Sequence, residues 1–290
     1  MNKEMWGLDD VKGEIIKIVK SLKIAENRRK VGLKPQNINN VMLFSGPPGV
    51  GKTEMAKHLC NIMFENHLLP GSRFISLNAS QLKAPYVGQT APLVARLFEE
   101  HDALLIDEAY SLTANEYGRM DIFSQEALAQ LCVELEKHSK HKLIIFAGYG
   151  GFESEKNNLM KQFLEANPGI ASRITFYISF PPYSADKEMP EIFRRMAENA
   201  EDDLEEGWRN IATDFFIKRS RSENFGNARE ARKLLQLAQS FRAERLPEDE
   251  TDIDKLKLLT CEDLAKAAES ILRGNISLEI KKHSIGFRFL

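Results

Sequence analysis

The segment Gly46-Pro47-Pro48-Gly49-Val50-Gly51-Lys52-Thr53 constrains this chain more than any other stretch, because it fits G-x-x-x-x-G-K-[ST] and stands where that pattern has meaning. An apolar run over 41–44 precedes it, and a helical pattern carrying Met55, Ala56 and Leu59 follows. Glycines let backbone N–H groups turn inward around phosphate oxygens, and the following helix adds roughly half a positive charge at its N-terminus. Lys52 is therefore expected to reach the β- and γ-phosphates of a nucleotide, with the Thr53 hydroxyl on Mg²⁺. The rival reading, a glycine turn that merely joins strand to helix, loses ground to this context. The nucleotide contacts expected from the loop run through Pro48, Gly49, Val50, Gly51, Lys52 and Thr53 to Glu54.

The rest of the core reads as alternating strand and helix. Short apolar runs at 41–44, 74–77, 103–106, 143–147 and 174–180 are separated by helical stretches, the pattern of a parallel sheet covered on both faces. Pro181 and Pro182 stop the last run, since proline lacks a donor and fixes φ. Ahead of the sheet, Val11, Ile15, Ile18, Val19 and Leu22 describe one face of an amphipathic helix. A linker follows over 31–40, with Gly32, Pro35 and three asparagines. Beyond residue 183 no comparable strand run occurs, and Ile192, Met196, Leu234, Leu235 and Ala238 mark helices of a smaller second domain. One of its helices is expected to start at Thr260-Cys261-Glu262-Asp263, in the manner of a capping box. The expected division is 1–40 for the N-terminal helix and linker, 41–182 for an α/β core, 183–275 for a helical domain and 276–290 for a tail.

Composition narrows the function by exclusion. Lysine plus arginine number 40 against 42 acids, a formal charge of -2, so no overall field draws the chain to nucleic acid or an anionic membrane. The 3 cysteines, Cys60, Cys132 and Cys261, form no C-x-x-C pair and suit a reducing cytosol better than a disulfide framework. The opening residues, Met1 to Trp6, lack the apolar core of a signal peptide, and no apolar run approaches the ~20 residues of a membrane span. A cytoplasmic protein is expected.

Leu104-Leu105-Ile106-Asp107-Glu108 is an apolar strand ending in two carboxylates, the Walker B arrangement. Asp107 can hold magnesium through water, and Glu108 can act as the base on the attacking water. Alone, two acids at a strand end suit a solvated loop start; with the phosphate loop upstream they read as hydrolytic. Phosphoryl transfer also profits from an arginine finger, and Arg173, just before the fifth strand, is the candidate. Arg229, at the start of a helix in the second domain, is a candidate for the γ-phosphate from a lid. Against both stands the common fate of arginines as solvated charges. Tyr86-Val87-Gly88 lies in a loop after the second strand, where an aromatic beside a glycine can be a mobile grip or plain packing.

Taken together, Gly7-Leu8 with Val11-Lys12, the phosphate loop, residues 86–91, 105–110 and 125–127, Ala147-Gly148-Tyr149, Asn167-Pro168-Gly169 with Ser172-Arg173, and residues 226–229 resemble the CbxX/CfxQ family of AAA+ proteins. The resemblance runs from about residue 5 to 275 in the right order. It implies an AAA+ P-loop fold, a five-stranded sheet of order 5-1-4-3-2 with a helical lid, and a homo- or hetero-hexameric ring. It further implies that Arg173 acts on the neighbour's ATP, that Arg229 is a lid sensor, that Gly7 and Leu8 line the adenine, and that Tyr86, Val87 and Gly88 form a pore loop pulling on a protein client. The family commonly carries two arginines in its N-P-G-[FL]-R-S-R segment; here Ala171 replaces the first, and no asparagine stands out after the fourth strand.

The expectation is thus an ATPase using ATP and Mg²⁺ to remodel a protein, possession of a Rubisco client being one concrete form of it. A nucleic-acid motor or loader would need a basic face that this balanced sequence lacks. A scaffold that switches assembly with nucleotide would use the same pocket without needing Tyr86.

Overall fold

The computed structural model describes residues 7–284 apart from 35, 37, 114–119, 151–158 and 223. The expectations placed on Met1 to Trp6, on Pro35 and on the last residues of the tail, 285–290, lie outside the described residues. The chain divides into two compact units, Met1–Pro181 and Pro182–Leu290.

In the first unit, five parallel strands, β1 (Val41–Ser45), β2 (Phe74–Asn78), β3 (Ala103–Asp107), β4 (Leu143–Gly148) and β5 (Phe176–Ser179), stand in the order β2-β3-β4-β1-β5. This is the expected 5-1-4-3-2 order read from the other edge. Every residue of β1 and β4 is buried, which is why their sequences are unbroken apolar runs and not alternations. On one face Val41, Leu43, Leu104, Ile106, Ile144 and Phe146 form a core with Val94 and Phe98 of α3 (Thr90–Glu100), Leu131 and Leu135 of α4 (Ile122–His138), and Phe163 of α5 (Leu159–Ala166). Met42 and Phe44 alternate to the other face, where α2 (Lys52–Glu65) buries Met55, Ala56, Leu59, Cys60 and Met63. Phe44 meets Phe180 there, ring centroids 5.0 Å apart.

The N-terminal helix, α1 (Asp9–Lys30), buries Val11, Ile15, Val19 and Leu22, the face its periodicity predicts. The linker after it is better anchored than its composition suggests. Asn40 donates its N–H to Ser139 O at 2.6 Å and its amide to Lys140 O at 3.3 Å, while the Asn39 amide donates to Arg173 O at 3.2 Å.

Helices build the second unit: α7 (Glu188–Asn199), α8 (Trp208–Ser220), α9 (Ala228–Arg245), α10 (Ile253–Lys257) and α11 (Cys261–Ser284), with a four-residue α6 (Pro168–Ala171) belonging to the first. One short parallel pair, β6 (Asp203–Leu204) with β7 (Leu258–Leu259), interrupts the expected all-helical pattern; two residues each carry no apolar run to announce a strand. Phe193, Phe215 and Phe216 sit at its centre, the last two with centroids 5.2 Å apart. The capping box forms as expected: Thr260 Oγ1 accepts from Asp263 N–H at 3.2 Å and Asp263 accepts from Thr260 N–H at 3.1 Å. Helix α11 runs through Ser284, past the residue-275 boundary expected for the domain. Among the described residues no helix is long and apolar enough to cross a membrane.

Arg219 of α8 makes a two-armed pair with Glu230 of α9, at 3.0 and 2.8 Å, with 7 and 10% of the side chains exposed. This clamp holds the start of α9, where Arg229 lies. Removing one partner leaves a buried charge unpaired, so Glu230→Ala should cost about 3–5 kcal/mol, read as a lower denaturant midpoint for the second unit.

Candidate functional site

The strand β1 ends at Ser45, and the backbone must then turn over the C-terminal edge of the sheet. Gly46 makes that turn at φ 149°, with its N–H on Gly148 O at 3.3 Å. A Cβ at Gly46 would run into the carbonyl oxygen and Cβ of Phe180, so only glycine passes there. Gly49 and Gly51 follow at φ 71° and 87°, the left-handed region that opens the loop before α2 begins at Lys52. Pro48 and Gly49 are half-buried while Val50 is fully buried, pinning the loop from beneath. The Lys52 ammonium donates to Gly46 O at 2.8 Å and Pro47 O at 2.9 Å, so its charge already lies across the loop. Thr53 and Glu54 are exposed in the first turn of α2.

Along the same edge β3 delivers the carboxylates. Asp107 Oδ1 accepts the Glu108 N–H at 2.9 Å, and Glu108 takes φ 51°, which turns the chain sharply out of the strand. Glu108 Oε2 accepts the Asn78 amide at 2.6 Å. Asn78 closes β2 directly beside Asp107 in register, a residue that sequence reasoning missed because its role depends on strand pairing. Tyr110 was also missed. Its phenol lies near this pair: burial first, then the charges of Glu108 and Asp107 and the nearby Tyr149, push it above the usual tyrosine value.

Both oxygen donors wanted for Mg²⁺ are open to solvent at least in part, the Thr53 hydroxyl and the Asp107 carboxylate. Among the described residues no cluster of three or more metal-ligating side chains exists.

The remaining expected residues lie elsewhere. Gly7 and Leu8 enter α1 at φ 69° and 57°, and Leu8 is 4% exposed, an apolar side chain held in a conformation it ordinarily avoids. Arg173 sits before β5, at the N-terminal edge of the sheet, opposite the phosphate loop. Its guanidinium donates to Gly169 O at 2.6 Å and to Glu136 at 3.0 Å. Tyr86 and Val87 are 68 and 71% exposed, and a Cβ at Gly88, φ 82°, would meet open space. The base of their loop is fixed, with Ala84 N–H on Thr90 Oγ1 at 3.2 Å and Gln89 N–H on Tyr86 O at 3.2 Å. Arg229 is exposed at the first turn of α9 in the second unit.

Comparison with known proteins agrees with the fold. The family model described as ATPase family associated with various cellular activities (AAA) matches residues 42–164, and the AAA lid domain model matches residues 185–273. Protein CfxQ of Xanthobacter flavus is 31% identical over 278 residues, covering 95% of this chain and 84% of that protein. The chloroplastic ribulose bisphosphate carboxylase/oxygenase activase of Cyanidioschyzon merolae is 29% identical over 248 residues, 85% of this chain and 81% of that one. Among solved structures, the FIGL-1 AAA domain in complex with ADP matches with a TM-score of 0.60 at 19% identity, covering 96% of this chain and 89% of that one, a likeness of fold.

Gly148, the last residue of β4, is where the site is tightest. A Cβ there would press on Met160 Sδ and come within 2.9 Å of the Tyr110 ring. Gly148→Ala should therefore cost about 1–3 kcal/mol by overpacking, seen as a lower melting temperature, and should lower ATP turnover by displacing Tyr110.

Proposed function

This chain belongs to the CbxX/CfxQ family of AAA ATPases and hydrolyses ATP, and from that premise we propose that turnover moves the loop at residues 86–88 and so remodels a protein client. One observation carries the proposal. A tyrosine and a valine stand with most of their surface in solvent on a loop whose two ends are tied together by the hydrogen bond from Ala84 N–H to Thr90 Oγ1. Such a loop offers an apolar grip for polypeptide without being part of the core.

In this reading Lys52 balances the β/γ-phosphate charge and the backbone N–H groups of Gly49 and Gly51 face the phosphates. Thr53, and Asp107 through water, would hold Mg²⁺, which would supply neutralisation of the phosphate charge. Glu108 accepts the proton of the attacking water, and the Asn78 amide fixes which way its carboxylate faces. Gly7 and Leu8 line the adenine, and Arg229 is the lid's sensor arginine.

Arg173 completes the chemistry from a second copy. It stands at the far end of the sheet from Lys52, and a five-residue strand at roughly 3.3 Å per residue sets the two edges about 16 Å apart. An arginine so placed serves its own pocket badly and a neighbour's well, which requires heterologous contacts that close into a ring. We propose a hexamer. The client is a protein, and ribulose bisphosphate carboxylase/oxygenase is the first to assay, given the activase relative. With acids and bases nearly equal in number, nucleic acid is not the favoured substrate.

Two experiments follow. Arg173→Ala and Lys52→Ala chains, each inactive alone, should regain part of the ATPase rate when mixed, because an intact finger then meets an intact pocket at some junctions. No recovery on mixing, with assembly intact, would refute action across subunits. Tyr86→Ala should keep the melting temperature and the ATPase rate while losing client remodelling. A fall of roughly 3–5 kcal/mol in stability would instead mark the ring as a core anchor.

A further inference from the structure

We propose that Asn227 is a positioning residue of the ATPase: its carboxamide ties the start of α9 to Tyr183, in the segment that joins the two units, and so links Arg229 to that segment. The proposal deepens the reading of Arg229 as the lid's sensor arginine and rests on it.

Asn227 is held in a conformation that its backbone resists. At the N-cap of α9 it takes φ 49° and ψ -126°, which glycine enters freely and residues with a side chain adopt rarely. Such backbone persists only where the surroundings over-determine it. Here Asn227 is 1% exposed, and its Oδ1 accepts the Tyr183 N–H at 3.0 Å, a buried hydrogen bond across 44 residues of chain. Its carbonyl accepts the Glu230 N–H at 2.8 Å, which helps to start the helix. Glycine would relieve this backbone and lose the bond to Tyr183, so what asparagine adds over glycine is its side chain.

Tyr183 stands where the chain passes from one unit to the other. The first unit ends with Phe180, whose N–H reaches Ser45 O at 2.8 Å, and Pro181; the second opens with Pro182. Two successive prolines fix φ and restrict the residue before each, which narrows the conformations open to the link. Past them Tyr183 is buried. Ser184 and Glu188 then bond reciprocally, Ser184 N–H to Glu188 Oε2 at 2.8 Å and Glu188 N–H to Ser184 Oγ at 3.1 Å, which holds the entry to α7.

Arg229 therefore lies between two anchored neighbours. Asn227 is tied to Tyr183 on one side, and on the other Glu230 is clamped by Arg219 at 3.0 and 2.8 Å. Both are buried, while Arg229 is exposed. A long side chain on an anchored backbone has only its own rotamers to search, and a misplacement of about 1 Å can cost roughly 10²-fold in rate. The two anchors differ in where they lead. Glu230 leads to α8, within the second unit, whereas Asn227 leads to the connecting segment itself. A phosphate held by Arg229 is thereby linked, through Asn227 Oδ1, to the first amide after the prolines.

The test compares the native chain with Asn227→Gly, Arg229→Ala and the double variant. Glycine accepts the backbone conformation and removes the carboxamide, so the fold is expected to persist, as the melting temperature will show. The kcat for ATP hydrolysis should fall by roughly 10- to 10²-fold in each single variant and no further in the double, because Asn227 acts through Arg229. Losses that multiply in the double variant would overturn the proposal, as would native kcat in Asn227→Gly beside a lowered kcat in Arg229→Ala. Native kcat in Arg229→Ala would instead remove the sensor reading, and the proposal with it. Hydrogen exchange decides the matter should glycine unfold the second unit. Pro181 and Pro182 carry no N–H, so Tyr183 is the first amide of the segment to report. The β,γ-imido analogue of ATP should slow its exchange severalfold in the native chain and leave it unchanged in Arg229→Ala. No slowing in the native chain, or equal slowing in both, would overturn the proposal.

Discussion

How closely the backbone leaving β1 passes its neighbours determines everything at the nucleotide site. Ser45 still belongs to the ladder, receiving the Phe180 N–H at 2.8 Å, and one residue later Gly46 must clear the Phe180 carbonyl while donating to Gly148. Only a glycine fits, so the loop leaves this interior strand at one fixed point, and α2 then starts at the C-terminal edge of the sheet. Because β1 is covered on both faces, this exit point is backed by the fully buried Met42, Leu43 and Phe44.

The same parallel order explains why the chemical groups converge. In a parallel sheet every strand's C-terminal end reaches the same edge, so the phosphate loop, Asn78, Asp107 and Glu108 arrive together from three different strands. None of these contacts is local in sequence. Asn78 and Glu108 lie 30 residues apart, and their hydrogen bond exists because β2 and β3 pair residue for residue to their ends. Sharp local turns finish the work: left-handed backbone at Gly49, Gly51 and Glu108 swings each segment off the strand direction within a residue. A non-glycine residue in that conformation, as at Glu108, costs of order 1–3 kcal/mol, and the surrounding strand pairing holds it there.

What could be read in the sequence and what could not divide along this line. Strands buried on both faces leave continuous apolar runs, so β1, β3 and β4 appear within a residue of their expected ends, as does the part-exposed edge strand β2, and β5 is shorter than its run because that edge strand keeps only four residues in the ladder. The phosphate loop and the box at Thr260 and Asp263 were legible because their geometry is set over a few adjacent residues. Asn78, Tyr110 and the anchoring of Asn39 and Asn40 were not, since each matters through a partner that only the register supplies. The pair β6 and β7 gave no signal for a related reason. It is held in place by neighbours distant in sequence, with Arg242 pairing to Asp202 at 2.6 Å and donating to Lys257 O at 3.0 Å.

The far edge of the sheet carries the complementary argument. Arg173 precedes β5, so the rule that gathers the pocket residues at one edge places this arginine at the other. There its two arms are divided between Gly169 O, a fixed acceptor in its own short helix, and Glu136, an exposed carboxylate on α4. An exposed ion pair contributes little to stability, about 0–1 kcal/mol, so the Glu136 contact is easily exchanged for a stronger anion. The carbonyl contact is different, because it orients the guanidinium without competing for its charge. A triphosphate presented by an adjacent copy would thus meet an arginine already aimed, at the cost of one weak surface pair. Under the proposed assignment, separating finger from pocket across the sheet would leave each copy incomplete by itself, and that incompleteness would couple hydrolysis at one junction to the position of the next subunit.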